Sequence, residues 1–144
     1  YYPPCPRIGV GVLVLHENNI LLVKRAQEPA KGEWSVPGGL VELGETIQQA
    51  AHREVWEECA IRVDIVKQLD VFEFIENDDD NAVKYHYIVL DYLAFYESGE
   101  LSAQSDIEDA RWFKAAELEN LNCSTSIKKL ACAALAYDQG DLPL

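Results

Sequence analysis

A stripe of small apolar side chains in the segment TIQQAAHREVWEECAI constrains the fold of this chain more than any other feature. The stripe repeats every four residues and consists of Ile47, Ala51, Val55 and Cys59, with Ala50 beside it. A spacing of four places these side chains on one face of an α-helix. The sequence therefore predicts a helix over residues 44–59 that packs through this stripe against the rest of the protein.

The same helix carries three glutamates on another face. Glu54, Glu57 and Glu58 stand at positions i, i+3 and i+4, so they share about 100° of arc. Like charges at this spacing destabilise an isolated helix by about 0.2–0.5 kcal/mol per pair. Arg53 lies four residues before Glu57 and offsets only part of this repulsion. Two interpretations follow: a solvated acidic surface, or a site for a hard divalent cation such as Mg²⁺, which takes oxygen ligands.

Composition limits the classes of partner. A chain of 144 residues with 49% hydrophobic residues predicts one globular domain over residues 1–144. Twelve Lys and Arg against 25 Asp and Glu leave a net charge of -13, which disfavours nucleic-acid polymers and anionic membrane surfaces as partners. The longest apolar run, residues 8–15, is too short to span a bilayer. A small anionic ligand remains compatible if cations bridge it to the protein.

Cysteine usage indicates a reducing compartment. The four cysteines, Cys5, Cys59, Cys123 and Cys132, are scattered, with no CxxC pair and no Cys/His cluster at zinc spacing. The N-terminal residues YYPPCPR lack a basic region followed by an apolar one, so they do not read as a signal peptide. We therefore expect reduced thiols and a cytoplasmic location.

Strand and helix patterns alternate irregularly along the chain. Two β-rich runs, residues 8–15 and 20–25, flank the turn HENN and predict a hairpin. Further β-like runs cover residues 62–69, 71–76, 84–96 and 110–113, and helices are predicted over 115–121 and from Ser124 or Thr125 to about Tyr137. Hairpins outnumber βαβ units, so we predict an α/β (α+β) fold with helices packed on a mixed sheet.

The spacing of charged residues around the helix matches a known motif. Five residues separate Gly39 from Glu45, seven separate Glu45 from Arg53, and residues 54–61 read EVWEECAI. This resembles the Nudix box, G-x5-E-x7-R-E-U-x-E-E-x-G-U, in which U is aliphatic. Only Ala60 departs from it, standing where the box has a glycine that usually forms a left-handed helix cap.

The flanking segments GEWSVPGG and DARWF also resemble those of the Nudix (MutT-like) hydrolase family. The resemblance implies an α/β/α sandwich that hydrolyses a nucleoside diphosphate linked to another moiety, with Mg²⁺ or Mn²⁺ as cofactor. It assigns the metal to Glu54, Glu57, Glu58 and the backbone carbonyl of Gly38. It also implies that Arg53 pairs with Glu45 to hold the loop on the helix, and Glu57 is our first choice for proton transfer.

Other functional residues lie outside the box. The loop QSDIED offers Asp106 or Glu108 as a general base, or it is only an acidic surface loop. Arg25 contacts phosphates or ends a solvated strand, and Trp34 stacks on a base or packs in the core. Gly39 lies in a Gly-Gly bend that a ligand can approach closely.

Three functions are compatible with this resemblance. The first is a pyrophosphatase of the branch acting on ADP-ribose and related nucleotide sugars. The second is a house-cleaning hydrolase of oxidised or noncanonical (d)NTPs. The third is a ligand-binding module without catalysis, which is disfavoured because such modules usually lose box carboxylates. A small nucleotide is the expected partner in each case, and the family makes a homodimer plausible.

Overall fold

The computed structural model describes residues 2–28, 30–138 and 140, and these residues form one mixed sheet with helices on both faces. The strands are β1 (Arg7–His16), β2 (Asn19–Arg25), β3 (Trp34–Ser35), β4 (Gly38–Leu40), β5 (Arg62–Asn77), β6 (Val83–Ser98) and β7 (Ile107–Lys114). The helices are α1 (Ile47–Cys59) and α2 (Thr125–Asp138), and a 3-10 helix covers Ala115–Asn120. None of the described helices is long and apolar enough to cross a membrane.

The central strand of the sheet is β1. The order is β3-β2-β1-β6-β5, with β4 also paired to β1 and β7 to β2. β1 runs parallel to β6 and antiparallel to β2 and β4, so the prediction of a mixed sheet is confirmed. The predicted hairpin of β1 and β2 is also present, and Glu17 and Asn18 at its turn have positive φ angles of 52° and 66°.

Alternate residues of β1 face opposite sides of the sheet, as the two-residue period of a strand requires. Val10, Val12 and Val14 pack with the apolar stripe of α1. Leu13 and Leu15 pack on the other side, in a cluster to which α2 contributes Leu130, Ala131 and Ala134. The sheet therefore lies between two helices, which confirms the α/β/α sandwich.

The helix α1 begins three residues later than the sequence suggested. Thr46 is its N-cap: the Thr46 hydroxyl accepts from the Gln49 N–H at 3.1 Å, and the Gln49 side chain accepts from the Thr46 N–H at 2.9 Å. Gly44, with φ of 85°, stands outside the helix because this left-handed conformation is incompatible with a helical turn. The predicted stripe is otherwise confirmed, since Ala50, Ala51, Val55 and Cys59 are fully buried.

Two predicted β-runs are in fact one strand. Residues 62–69 and 71–76 form the single 16-residue strand β5, which pairs with β6 across its whole length. Shifts of register between Ile65 and Lys67 and between Gln68 and Asp70 interrupt the alternation that a sequence pattern needs. The predicted helix at 115–121 is a 3-10 helix, whereas α2 covers nearly the range expected for the final helix.

Ala60 ends α1 in the left-handed conformation, with φ of 61° and ψ of 27°. A side chain in this region costs about 1 kcal/mol relative to glycine. We expect Ala60→Gly to raise the free energy of unfolding by about 0.5–1 kcal/mol in denaturant titrations. Ala50→Gly, in the interior of the same helix, is the matched control and should lower it. A loss of stability in Ala60→Gly would contradict the assignment of strain to this cap.

Candidate active site

Strand β4 lies against the acidic face of α1, and Gly39 allows the close approach. The Gly38 N–H donates to Glu58 Oε1 at 3.0 Å. A Cβ atom on Gly39 would lie 2.5 Å from the carboxyl carbon of Glu54 and would collide with it. The absence of a side chain at Gly39 therefore leaves the space that the Glu54 carboxylate occupies.

Arg53 connects the loop after β4 to the acidic face. Its guanidinium donates to both oxygens of Glu45, at 2.7 and 2.9 Å, and to the Leu40 carbonyl at 3.0 Å. It also donates to Glu54 at 2.6 Å and to Glu57 at 3.0 Å. These bonds hold the pKa of Glu45 down to about 2, chiefly through the hydrogen bond from Arg53. The structure thus brings together the two residues expected to pair.

The three glutamates differ in exposure, contrary to the expectation that all of them project away from the packed side of α1. Glu58 is only 7% exposed, Glu54 is largely buried, and the Glu57 side chain is 44% exposed. The reason is β4, which covers the part of this face that carries Glu54 and Glu58. Burial, with the nearby charges of Glu54 and Asp106, raises the pKa of Glu58 to about 8. The pKa of Glu54 is raised as well, again mainly by burial.

A cleft of about 520 Å³ opens beside these side chains. Five of the residues that line it carry carboxylates, and they are Glu42, Glu54, Glu57, Glu58 and Asp106. Arg25, from the end of β2, also lines the cleft and lowers the pKa of Glu58. The cleft is therefore strongly negative, with an arginine at one side.

The loop before β7 places Asp106 in this cleft. The N–H groups of Ser102 and Gln104 donate to the carbonyls of Cys59 and Glu58, at 3.0 and 2.9 Å, and so fix the loop on the end of α1. Glu108 is not among the residues that line the cleft and instead pairs with Lys24 at 3.8 Å. Geometry thus separates the two candidates for a general base that the sequence left open.

The glutamate side chains of the cleft have the chemistry that a divalent cation requires of its ligands. Among the described residues, no three His, Cys, Asp or Glu side chains converge on one point. The glutamates are instead engaged by Arg53 and by the Gly38 N–H, in each case through Oε1. Within the described part of the chain, Oε2 of each is thus left without a hydrogen bond. Crowded, partly buried carboxylates with unused oxygens are the ligands that hard cations such as Mg²⁺ prefer.

The remaining predicted residues lie nearby. Gly39 lines the cleft and also a second cavity on the α2 side of the sheet, as Arg25 does. Trp34 is partly buried, lines the second cavity, and packs edge-on against Phe113 with ring centroids 4.9 Å apart. Trp34 therefore contributes to the core and to a cavity wall at the same time.

Glu42 lies at the edge of the cleft, where the loop after β4 meets Arg53. Its N–H donates to Glu45 at 3.0 Å, and its carboxylate lies 3.7 Å from the Arg53 guanidinium at the edge of the cleft. The turn that joins them is closed by the Glu45 N–H, which donates to the Glu42 carbonyl at 3.0 Å. No pattern in the sequence predicts the contact between Glu42 and Arg53, because this contact depends on the position of Arg53 in the folded structure.

Comparison with known proteins finds similarity over most of the chain. Residues 6–131 match the family model described as NUDIX domain. The chain is 34% identical over 116 residues to an ADP-ribose pyrophosphatase of Methanocaldococcus jannaschii, covering 81% of this chain and 64% of that protein. It is 33% identical over 129 residues to the NAD-capped RNA hydrolase NudC of Chromobacterium violaceum, covering 88% and 44%. The chain thus spans less than two thirds of the length of these relatives.

A solved structure supports the same relationship. The MutT NUDIX hydrolase of Burkholderia pseudomallei superimposes with a TM-score of 0.77 at 29% identity, covering 90% of this chain and 98% of that one.

Proposed function

This chain belongs to the Nudix domain family, and we propose that it hydrolyses the pyrophosphate bond of a nucleoside diphosphate linked to another moiety, with ADP-ribose or a related nucleotide sugar as substrate. The observation that carries this proposal is the cleft that Glu54, Glu57 and Glu58 line together with Asp106 from a separate loop. The similarity to the ADP-ribose pyrophosphatase of M. jannaschii supports the choice of substrate.

We assign Mg²⁺ or Mn²⁺ to the carboxylates of Glu54, Glu57 and Glu58 and to the Gly38 carbonyl. When bound there, the ion neutralises phosphate charge, polarises the phosphoryl oxygens and lowers the pKa of a water ligand. The charge of the cleft supports this assignment, because five carboxylates would otherwise repel a pyrophosphate. Members of the Nudix family generally depend on divalent metals, and this also supports the assignment of a divalent metal to the cleft.

The side chains in and around the cleft then have separate roles in the reaction. Glu57, the most exposed of the three box glutamates, accepts the proton of the attacking water, and Asp106, which also lines the cleft, is the alternative acceptor. Arg25 contacts a phosphate from the side that leads to the second cavity. Arg53 and Glu45 position the loop rather than touch the substrate.

A phosphate-release screen tests the function. The full chain is assayed with Mg²⁺ and with Mn²⁺ on ADP-ribose, nucleotide sugars, dinucleoside polyphosphates and (d)NTPs. Hydrolysis of ADP-ribose or a nucleotide sugar ahead of the (d)NTPs is the expected result. A preference for oxidised (d)NTPs would move the chain to the house-cleaning class, and inactivity on every substrate would rule out the enzyme.

The two acids of the loop before β7 provide a matched pair of variants. Asp106→Asn should lower kcat by about 10–100-fold, since it removes a carboxylate from the cleft. Glu108→Gln removes the same charge two residues away, where the side chain pairs with Lys24, and should stay within about threefold of wild type. Steady-state kinetics on the best substrate measures both. The opposite ranking would transfer the role to Glu108.

A further inference from the structure

The second cavity lies next to the acidic cleft, on the α2 side of the sheet. Its volume is about 420 Å³, within the usual range for small-ligand sites. The cleft and the cavity share a boundary of four residues, which are Arg25, Gly38, Gly39 and Leu40. A substrate whose phosphates lie in the cleft can therefore extend another of its groups into this cavity.

A glycine in β1 makes room for a carboxylate in the lining of the cavity. Gly11 pairs with Asp91 in the parallel register of β1 and β6, and both line the cavity. A Cβ atom on Gly11 would collide with Asp91 Oδ1. The missing side chain therefore lets the Asp91 carboxylate lie over the sheet, at the floor of the cavity.

Aromatic rings form the walls around this carboxylate. Phe72 and Phe74 from β5 and Tyr87 from β6 line the cavity, together with Trp34. The rings of Phe74 and Tyr87 are nearly parallel, with an angle of 20° between their planes and centroids 6.4 Å apart. Flat apolar walls of this kind suit a planar heterocycle, because every nucleobase has a π-face that can stack on an aromatic ring.

Asp91 is a partly buried acidic group of the cavity lining. In the part of the chain that the structure describes, no hydrogen bond or ion pair reaches its carboxylate. Its neighbour across the hairpin is Asp70, a like charge that destabilises the pair. Burial and this charge raise the pKa of Asp91 to about 6. The Asp91 carboxylate therefore makes no stabilising polar contact within the described part of the chain, and its oxygens are available to accept a hydrogen bond from an N–H group of a ligand.

We propose that this cavity binds the nucleobase of the substrate and that Asp91 is a specificity-determining residue, accepting a hydrogen bond from an exocyclic amino group of that base. The proposal rests on the proposed function, because it takes the phosphates to lie in the adjoining cleft. Adenine satisfies Asp91 through its 6-amino group. Hypoxanthine presents a carbonyl oxygen at the same position, and this oxygen repels the carboxylate.

Binding of AMP and IMP tests the proposal without requiring hydrolysis. These nucleotides differ chiefly at position 6, and calorimetry of the full chain with Mg²⁺ at pH 8 compares them while Asp91, with its pKa of about 6, is ionised. We expect AMP to bind about 10–100-fold more tightly. Asp91→Asn should bring the two affinities within about threefold, since an amide can donate to the carbonyl oxygen.

Two further variants separate base recognition from charge and from stacking. Asp70→Asn removes the neighbouring charge outside the cavity lining and should leave the preference for AMP unchanged. Phe74→Leu should weaken both nucleotides about tenfold and leave their ratio unchanged. Equal affinities of the wild type for AMP and IMP, or no binding of either at millimolar concentration, would overturn the proposal. Failure to hydrolyse any substrate while AMP is preferred would instead count against the proposed function alone.

Discussion

Glu57→Gln is expected to lower kcat by about 10²–10⁴-fold, the range for removing a general base. The amide keeps the size of the side chain and removes the charge that the proposed metal and proton-transfer roles require. The variant should remain folded, because the Glu57 side chain is 44% exposed and its ion pair with Arg53 joins positions i and i+4. Such surface pairs contribute only about 0.3–0.5 kcal/mol. Steady-state kinetics and thermal unfolding measure the two effects separately.

A glutamate outside the cleft is the appropriate control for this variant. Glu119, in the 3-10 helix, is exposed and is not among the residues that line the cleft. Glu119→Gln removes the same charge and should leave both kcat and the melting temperature unchanged. If Glu57→Gln retained turnover within about threefold of wild type, Glu57 would be excluded from the catalytic and metal-binding roles assigned to it.

Arg53→Ala should have the second largest effect, because it removes five hydrogen bonds at once. The loop between β4 and α1 would lose its connection to the helix, and Glu54 and Glu57 would lose the donor that orients them. We expect the melting temperature at pH 7 to fall by about 5 °C or more. kcat should fall by about 100-fold, since misplacing reacting groups by about 1 Å can cost this much.

Acid titration distinguishes the loss of this ion pair from a general loss of packing. The pKa of Glu45 is lowered from its ordinary 4.5 to about 2, so its pairing stabilises the folded protein above pH 4.5 and ceases to do so as the pH falls towards 2. The difference in melting temperature between wild type and Arg53→Ala should therefore be largest near neutral pH and shrink below pH 4.5. A difference that did not change with pH would contradict the assignment to the pair.

Arg62 and Glu45 supply the comparisons for this prediction. Arg62→Ala removes an exposed guanidinium that lies 4.2 Å from the centre of the Trp56 ring, outside the cleft, and should change the melting temperature little. Glu45→Gln should reproduce much of the loss seen in Arg53→Ala. The double variant should then lose less than the sum of the two, because both substitutions break the same interaction.

Much of the site was predictable because most of its functional residues lie within one short segment of the sequence. The stripe from Ala50 to Cys59 repeats with the period of a helix, and that period alone identified the buried face of α1. The family resemblance rested on spacings within the same segment. The difference at Ala60 was also visible there, and the left-handed cap that it implied is present in the structure.

Element boundaries were less predictable where the backbone departs from regular geometry. The start of α1 depended on the reciprocal hydrogen bonds of Thr46 and Gln49, and the alternation of β5 was hidden by shifts of register at four places. The helix cap and the register shifts are both local features, but they interrupt the regular spacing of apolar residues by which helices and strands are recognised in a sequence. Patterns that rely on a constant repeat therefore misplace such boundaries.

The sequence by itself determined the helix that carries the acids, the mixed sheet and the family. Tertiary structure decided what these acids experience: β4 buries Glu58 and leaves Glu57 exposed, and the loop before β7 brings Asp106 into the cleft and leaves Glu108 outside. It also placed Asp91 opposite Gly11, at the floor of a cavity. The physical reason is that periodicity and spacing record which residues share an element. Burial and charge at a site depend instead on which elements pair and in what register, and those contacts join residues far apart along the chain.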